Sequence, residues 1–123
     1  MSILVCVTGQ KSCERLIRRG AELAREAGVM LNVLHVVRTD GSVLGFVNEP
    51  EALEYLLRVS VENDASMYVR RSDNVAEAIE TASRNEQVSV IVMGMSPGKK
   101  GTTLLDEVAR RLPQVRLEIL EPE

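Results

Sequence analysis

The sequence predicts an α/β protein: a doubly wound parallel sheet between two layers of helices, a three-layer α/β/α sandwich. Two patterns carry this. Short apolar runs rich in β-branched residues recur along the chain, and between them lie longer stretches whose apolar residues fall at helical spacing. The patterns alternate strictly, five runs of the first kind and four of the second. Strands joined through helices pair in parallel, and right-handed crossovers place helices on both faces. The 123 residues fit one such domain, 1–123, since chains of roughly 100–150 residues usually fold as one unit.

Ile3-Leu4-Val5-Cys6-Val7 is too short and too β-branched for a helix and reads as a strand buried on both faces. From Ser12 to Ala27, apolar or small residues at 13, 16, 17, 20, 21, 24 and 27 mark one helical face, with charged residues elsewhere. Ser12 is the expected cap, and Gly28 sits where a left-handed residue ends a helix. Val29 to Val37 reads as the second strand. A long polar connection, 38–50, leads to a helix over 51–62 with Leu53, Leu56 and Leu57 inward. Ser66 to Arg71 is the third strand. Asn74 opens a third helix, 74–85, with Glu77 three residues on, as in a capping box. Val88 to Met93 is the fourth strand and the most apolar. Thr102 or Thr103 is expected to open the fourth helix, with Leu104, Leu105, Val108, Ala109 and Leu112 on one face and Pro113 as its stop. Val115 to Leu120 is the fifth strand.

Composition removes several function classes. Fifteen Lys and Arg against eighteen Asp and Glu give a formal charge of −3, which disfavours nucleic acid or anionic membrane as a partner held by bulk charge. Aromatics are Phe46, Tyr55 and Tyr68, too few for a single-stranded nucleic-acid platform. No segment approaches the roughly 18–20 apolar residues of a membrane span, and the N-terminus lacks the basic start and the apolar length of a secretory signal. The expected compartment is the cytoplasm. Cys6 and Cys13 form no CxxC pair, and with His35 as the single histidine there is no zinc-ligand set.

In an open α/β sheet, ligands bind beyond the carboxyl ends of the strands, where strand order reverses. The loop after the fourth strand is the most informative there: Gly94-Met95-Ser96-Pro97-Gly98-Lys99-Lys100-Gly101-Thr102-Thr103. Its glycines admit an anion close to backbone N–H groups, the following helix adds its dipole, the lysines add charge and the threonines hydroxyls. The alternative is a plain turn with solvated lysines. Walker A and the Gly-x-Gly-x-x-Gly signature are absent, although Thr8-Gly9-Gln10-Lys11-Ser12 resembles half a phosphate loop. Nucleophiles are scarce. Cys13 sits near a helix start, where a thiol pKa falls, but on the apolar face, which favours a buried inert thiol. Cys6 and His35 read as core residues, and Asp73 as a cap or turn residue. Asp40 is the one carboxylate in a candidate ligand loop. No Ser-His-Asp set or carboxylate pair emerges, so no catalytic residue is assigned.

The pattern resembles the universal stress protein family over nearly the whole chain. The carriers are Ile3 to Val7, Cys13-Glu14-Arg15-Leu16-Ile17 with Ala21 and Ala24, Leu34-His35-Val36-Val37, Asn74-Val75-Ala76-Glu77-Ala78-Ile79, and Val90-Ile91-Val92-Met93-Gly94 with Gly101-Thr102. The Glu-Arg-Leu-Ile helix start also resembles the stress-protein-like cytosolic domain of potassium-responsive sensor kinases. The resemblance implies the strand order 3-2-1-4-5. It also implies a role in stress response or signalling without catalytic turnover, a weak ATPase being the remaining enzymatic reading. A nucleotide such as ATP or AMP would then lie at Thr8, Gly9, Val36, Val37, Gly94, Ser96, Gly98, Lys99, Lys100, Gly101, Thr102 and Thr103. Nucleotide-binding members carry an Asp at the end of strand one and Gly-x2-Gly-x9-Gly-Ser/Thr after strand four. Here Thr8 replaces the Asp, and the glycine loop is six residues shorter. The shorter loop offers fewer N–H groups to a triphosphate. It favours the alternative of an interaction module that binds no nucleotide and dimerises or docks on a kinase or transporter.

The last expectation is assembly. In the implied order the fifth strand is an edge, which proteins must block or use. Val115, Leu117 and Ile119 should face the core, leaving Arg116, Glu118 and Leu120 on the other side. A homodimer through antiparallel 115–120 strands would bring Arg116 of one chain near Glu118 or Leu120 of the other.

Overall fold

Nine elements alternate as predicted in the computed structural model, which describes residues 1–7, 10–37, 49–94 and 100–120, with backbone alone at 10–12, 49–52 and 100–103. They are β1 (Ser2–Val7), α1 (Gln10–Ala27), β2 (Met30–Val37), α2 (Glu49–Glu62), β3 (Ser66–Arg71), α3 (Val75–Asn85), β4 (Val88–Gly94), α4 (Lys100–Arg111) and β5 (Arg116–Leu120). The strands form one parallel sheet in the order β3-β2-β1-β4-β5. β1 lies at its centre and is buried along its whole length, which is why it reads as an unbroken apolar run.

Strand alternation divides the core in two. Ile3, Val5, Val7, Leu31, Val33 and Val92 face α1 and α2, meeting Cys13, Leu16, Ile17 and Leu56. Leu4, Cys6, Leu34, Val36, Ile91 and Met93 face α3 and α4, meeting Ile79, Leu105, Val108 and Leu112. α1 comes very close to the sheet through Gly20, where a Cβ would stand 2.5 Å from Val5 Cγ2 and 3.0 Å from Leu31 Cδ1. α3 and α4 are joined by charge as well: Glu80 accepts from Arg84 at 2.8 Å and from Arg111 at 2.9 Å. These bonds, that from Arg84 foremost, hold the Glu80 carboxyl below its usual pKa.

Element ends follow the expected chemistry in some places and depart from it in others. Gly28 has φ +68, its N–H bonds Arg25 O, and Val29 N bonds Ala24 O, so the end of α1 is a Schellman motif. Asn74 caps α3, its Oδ1 accepting from Glu77 N at 3.0 Å. The capping box is only half present, because Asn74 N donates to Ser72 Oγ at 3.1 Å. Ser12 is not the cap of α1, since the helix begins at Gln10. Thr102 and Thr103 likewise lie inside the first turn of α4. In both places the opening turn is polar and leaves no apolar period to mark it. α2 begins before Pro50, whose missing N–H costs nothing in a first turn. Leu57, expected inward, is 54% exposed, because α2 packs along Leu56, Val59 and Ser60 and position 57 falls outside that stripe. Among the described residues no helix is long and apolar enough to cross a membrane.

Candidate functional site

Strand order reverses at β1, which has β2 on one side and β4 on the other. The register pairs Cys6 with Met93, so Val7 and Gly94 end level with each other. The chain leaves β1 at Val7 and enters α1 at Gln10; it leaves β4 at Gly94 and enters α4 at Lys100. α1 covers one face of the sheet and α4 the other. Two helix N-termini, with their free N–H groups and positive dipole ends, therefore lie on opposite faces of the sheet at its carboxyl end. That arrangement suits an anion.

The sequence-predicted residues divide accordingly. Gly94 closes β4 under α1, and a Cβ there would lie 3.5 Å from Leu16 Cδ1, an ordinary contact. Val36 and Val37 reach the same end on β2 with buried side chains, and the Val37 carbonyl accepts from Ser72 N at 2.9 Å. Lys100, Gly101, Thr102 and Thr103 form the first turn of α4 by their backbone. Thr8, Gly9, Ser96, Gly98, Lys99 and Asp40 lie outside the described residues.

The two cysteines are buried, as their apolar positions indicated. Burial pushes the Cys6 thiol up to about 12 and the Cys13 thiol up to about 11. His35 is fully buried in β2, in register with Val7 and Val69. Asp73 is exposed just before the Asn74 cap. No group of three or more His, Cys, Asp or Glu among the described residues is placed to hold a metal ion.

β5 lies at the sheet edge, as the implied order requires. Val115, Leu117 and Ile119 pack toward α3 and α4, and Leu120 packs on the opposite core. Glu118 is not left for a partner. Arg19 of α1 binds its Oε2, with Nη2 at 2.9 Å and Nε at 3.0 Å, and Arg116 binds Oε1 at 3.2 Å. The reason is the facing of β5: the side that carries Glu118 lies under α1.

Two cavities lie at the opposite, amino end of the strands. One of about 420 Å³ is bounded by Arg84, Gln87, Arg111 and Pro113, the other, of about 370 Å³, by Ala24, Arg25, Met30 and Asp64.

The model of the Universal stress protein family matches residues 1–114. The chain is 30% identical over 105 residues to the sensor protein KdpD of Mycobacterium tuberculosis (strain ATCC 25618 / H37Rv), which is 85% of this chain but 12% of that protein. Among solved structures it resembles the universal stress protein of Archaeoglobus fulgidus in complex with dAMP, with TM-score 0.66, 19% identity, and coverage of 100% of this chain and 98% of that one. A universal stress protein in complex with cAMP superposes with TM-score 0.71 at 15% identity, again over 100% of this chain and 98% of the other.

Proposed function

The chain belongs to the universal stress protein family, and on that footing we propose that it is a cytoplasmic stress-response or signalling protein that holds an adenine mononucleotide without turning it over. The observation that carries this reading is that Val7 and Gly94 end level beside each other, with α1 and α4 beginning on opposite faces of the sheet at that end. The phosphate belongs at the β4 side, against the backbone of Gly94 and the first turn of α4, with Ser96, Gly98, Lys99 and Lys100 and the hydroxyls of Thr102 and Thr103. The nucleoside extends past Thr8 and Gly9 toward the β2 end at Val36 and Val37. A monophosphate suits this chain better than a triphosphate, because only five residues separate Gly94 from Lys100 and supply few N–H groups. The structural relatives hold dAMP and cAMP, each with one phosphate.

Titration calorimetry and thermal unfolding with AMP, cAMP and ATP test the reading. A ligand at a hundred times its Kd stabilises the fold by about 2.7 kcal/mol, a shift easily measured. AMP or cAMP should stabilise and ATP should bind more weakly. No heat and no shift with any of the three would overturn it.

A second reading has its own support. The match to a sensor protein spans 12% of that protein's length, and Thr8 stands where nucleotide-binding relatives carry an acid. A module that docks on a partner and binds no nucleotide fits both facts, and it predicts a null result in the same titrations.

A further inference from the structure

β3 is the second edge of the sheet, with β2 on one side only. Just past it, Ser72 N donates to Val37 O of β2 at 2.9 Å. Backbone groups of alternate residues point to the same side of a strand, so those of Met67 and Val69 point outward, away from β2. The Val69 carbonyl agrees, since the Arg70 guanidinium turns back and donates to it at 3.0 Å. The two faces beside this edge differ in chemistry. Met67 packs on the α1 side of the sheet, and Val69 shares that face, 38% exposed. α2 covers β3 there. Tyr55 and Leu57 lie about 100° to either side of the buried Leu56. Tyr55 donates to Glu14 of α1 at 3.3 Å, so Leu57 and, one turn on, Val61 lie on the flank away from α1, over the open edge. They are 54% and 64% exposed. On the opposite face Tyr68 packs with the α3 and α4 core, and Arg70 stands over its ring at 5.4 Å. Arg70 is exposed and, among the described residues, pairs with no carboxylate, whereas Arg84, Arg111 and Arg116 each bind a glutamate.

We propose that the outer edge of β3 is a docking site for an extended segment of a partner protein in which apolar and acidic residues alternate. The segment adds a strand to the sheet by pairing with the outward groups of Met67 and Val69. Its apolar residues share the face of Val69 and lie against Leu57 and Val61. Its acidic residues share the other face and meet Arg70, drawing the guanidinium off the Val69 carbonyl. The open edge sets the occupant as a strand, the exposed leucine and valines set one of its faces, and the unpaired guanidinium sets the charge of the other. A second copy of this chain suits the edge less well, because copies joined at both β3 and β5 would run on into an open filament. The assignment rests on the docking reading above.

The probe is a fluorescein-labelled peptide of about eight residues in which valine and glutamate alternate, with lysine for glutamate in a control peptide. Fluorescence anisotropy should show the glutamate peptide bound about tenfold more tightly than the lysine peptide, a preference that shrinks in high salt. Arg70→Glu should reverse the preference. Val69→Pro should abolish binding while the fold persists, because the lost N–H faces outward. Leu57→Gln should weaken the glutamate peptide without lowering the thermal midpoint, since that side chain is exposed. Leu57→Gln and Arg70→Glu decide the matter if Val69→Pro does not fold. Failure of the glutamate peptide to bind, or equal binding of both peptides, overturns the assignment. So does binding that survives Val69→Pro and is lost in Ile119→Pro, which would place the added strand at β5. A wild-type mass above one chain that falls in Val69→Pro without peptide also overturns it, by putting a second copy on the edge. The two readings fail apart: bound AMP counts against the docking reading, whereas the peptides alone judge the edge of β3.

Discussion

Arg19 and Glu118, ninety-nine positions apart, join the long helix α1 to the edge strand β5 through one carboxylate oxygen, which accepts from both Nη2 and Nε of the guanidinium. The pair does more than decorate the surface. β5 meets the α1 side of the sheet only through Glu118 and Leu120 among its described core contacts, so the ion pair fixes how the edge strand sits under the helix. Hydrogen bonding to Glu118 raises the Arg19 pKa. Arg19→Gln and Glu118→Gln should each lower the thermal midpoint. The double variant should lose less than the sum of the two, and the coupling should shrink in high salt. Additive losses would mean the two side chains act separately.

Gly20 and Gly94 predict opposite outcomes for the same substitution. At Gly20 a Cβ would meet the short, stiff Val5 side chain at 2.5 Å, so Gly20→Ala should destabilise by about 1–3 kcal/mol through overpacking. This occurs even though alanine favours a helix interior by about 1 kcal/mol. At Gly94 the same Cβ would meet Leu16 at 3.5 Å, which leaves room. Gly94→Ala should therefore keep the wild-type urea midpoint. A stable Gly20→Ala protein would show that α1 can lift from the sheet at no cost.

How much of this was legible beforehand depends on which signal each feature leaves. β1 shows as an apolar run because both its faces are buried, Gly28 because only a left-handed residue suits that turn, and Asn74 because its side chain takes the place of a helical carbonyl. Helix starts without an apolar residue leave no such mark, so α1 and α4 each begin two residues ahead of the expected Ser12 and Thr102. Leu57 shows the limit of composition, since two adjacent leucines lie 100° apart on a helix and only Leu56 reaches the core. The bond of Glu118 to Arg19 was illegible for a different reason. It depends on which residue of a distant element lies opposite, and that is a property of the packed sheet, not of local spacing.

The pH range of stability follows from two kinds of group. Cys6 and Cys13 have folded pKa values raised to about 12 and about 11 from an ordinary 9.0, both chiefly by burial. Their neutral forms are favoured in the fold, so the contribution is complete below pH 9.0 and is lost as pH rises toward 11 and 12. Glu80 has its pKa lowered, so its contribution is present above the ordinary carboxylate value and fades as pH falls through that range. Urea midpoints should be level near neutrality and fall on both sides. A Cys6→Ala, Cys13→Ala chain should show a weaker alkaline decline. Folded wild-type protein at pH 8 should react slowly with a thiol reagent, and unfolding should release both thiols. Rapid labelling of either cysteine in the folded state would contradict the assigned burial.

The lysines of the β4–α4 connection supply a test of the proposed phosphate site. Lys99→Ala with Lys100→Ala removes two charges where the phosphate is proposed to bind, so AMP affinity should fall and depend less on salt. Unchanged affinity at low salt would identify them as solvated surface.

Assembly gives the last prediction. β5 is an edge strand whose outer N–H and C=O groups face away from β4, and such edges are either blocked or paired. A homodimer through antiparallel 115–120 strands remains the expected assembly, and a two-fold dimer is the commonest closed form. Its chemistry changes in one respect. Glu118 already satisfies Arg19 and Arg116 within its own chain, and its side chain is 19% exposed, so a cross-axis bridge from Arg116 to Glu118 would have to break those bonds. Backbone pairing and apolar contact must then supply the interface, with Arg116, 63% exposed, left at its rim. Arg116→Ala should leave the dimer intact, whereas Ile119→Pro should abolish it by removing an N–H from the strand. Light scattering at tens of micromolar decides between the outcomes. A wild-type mass of 13.6 kDa, unchanged in a folded Ile119→Pro variant, would end the dimer hypothesis, and dissociation by Arg116→Ala would restore the ionic interface that the Arg19–Glu118 pair argues against.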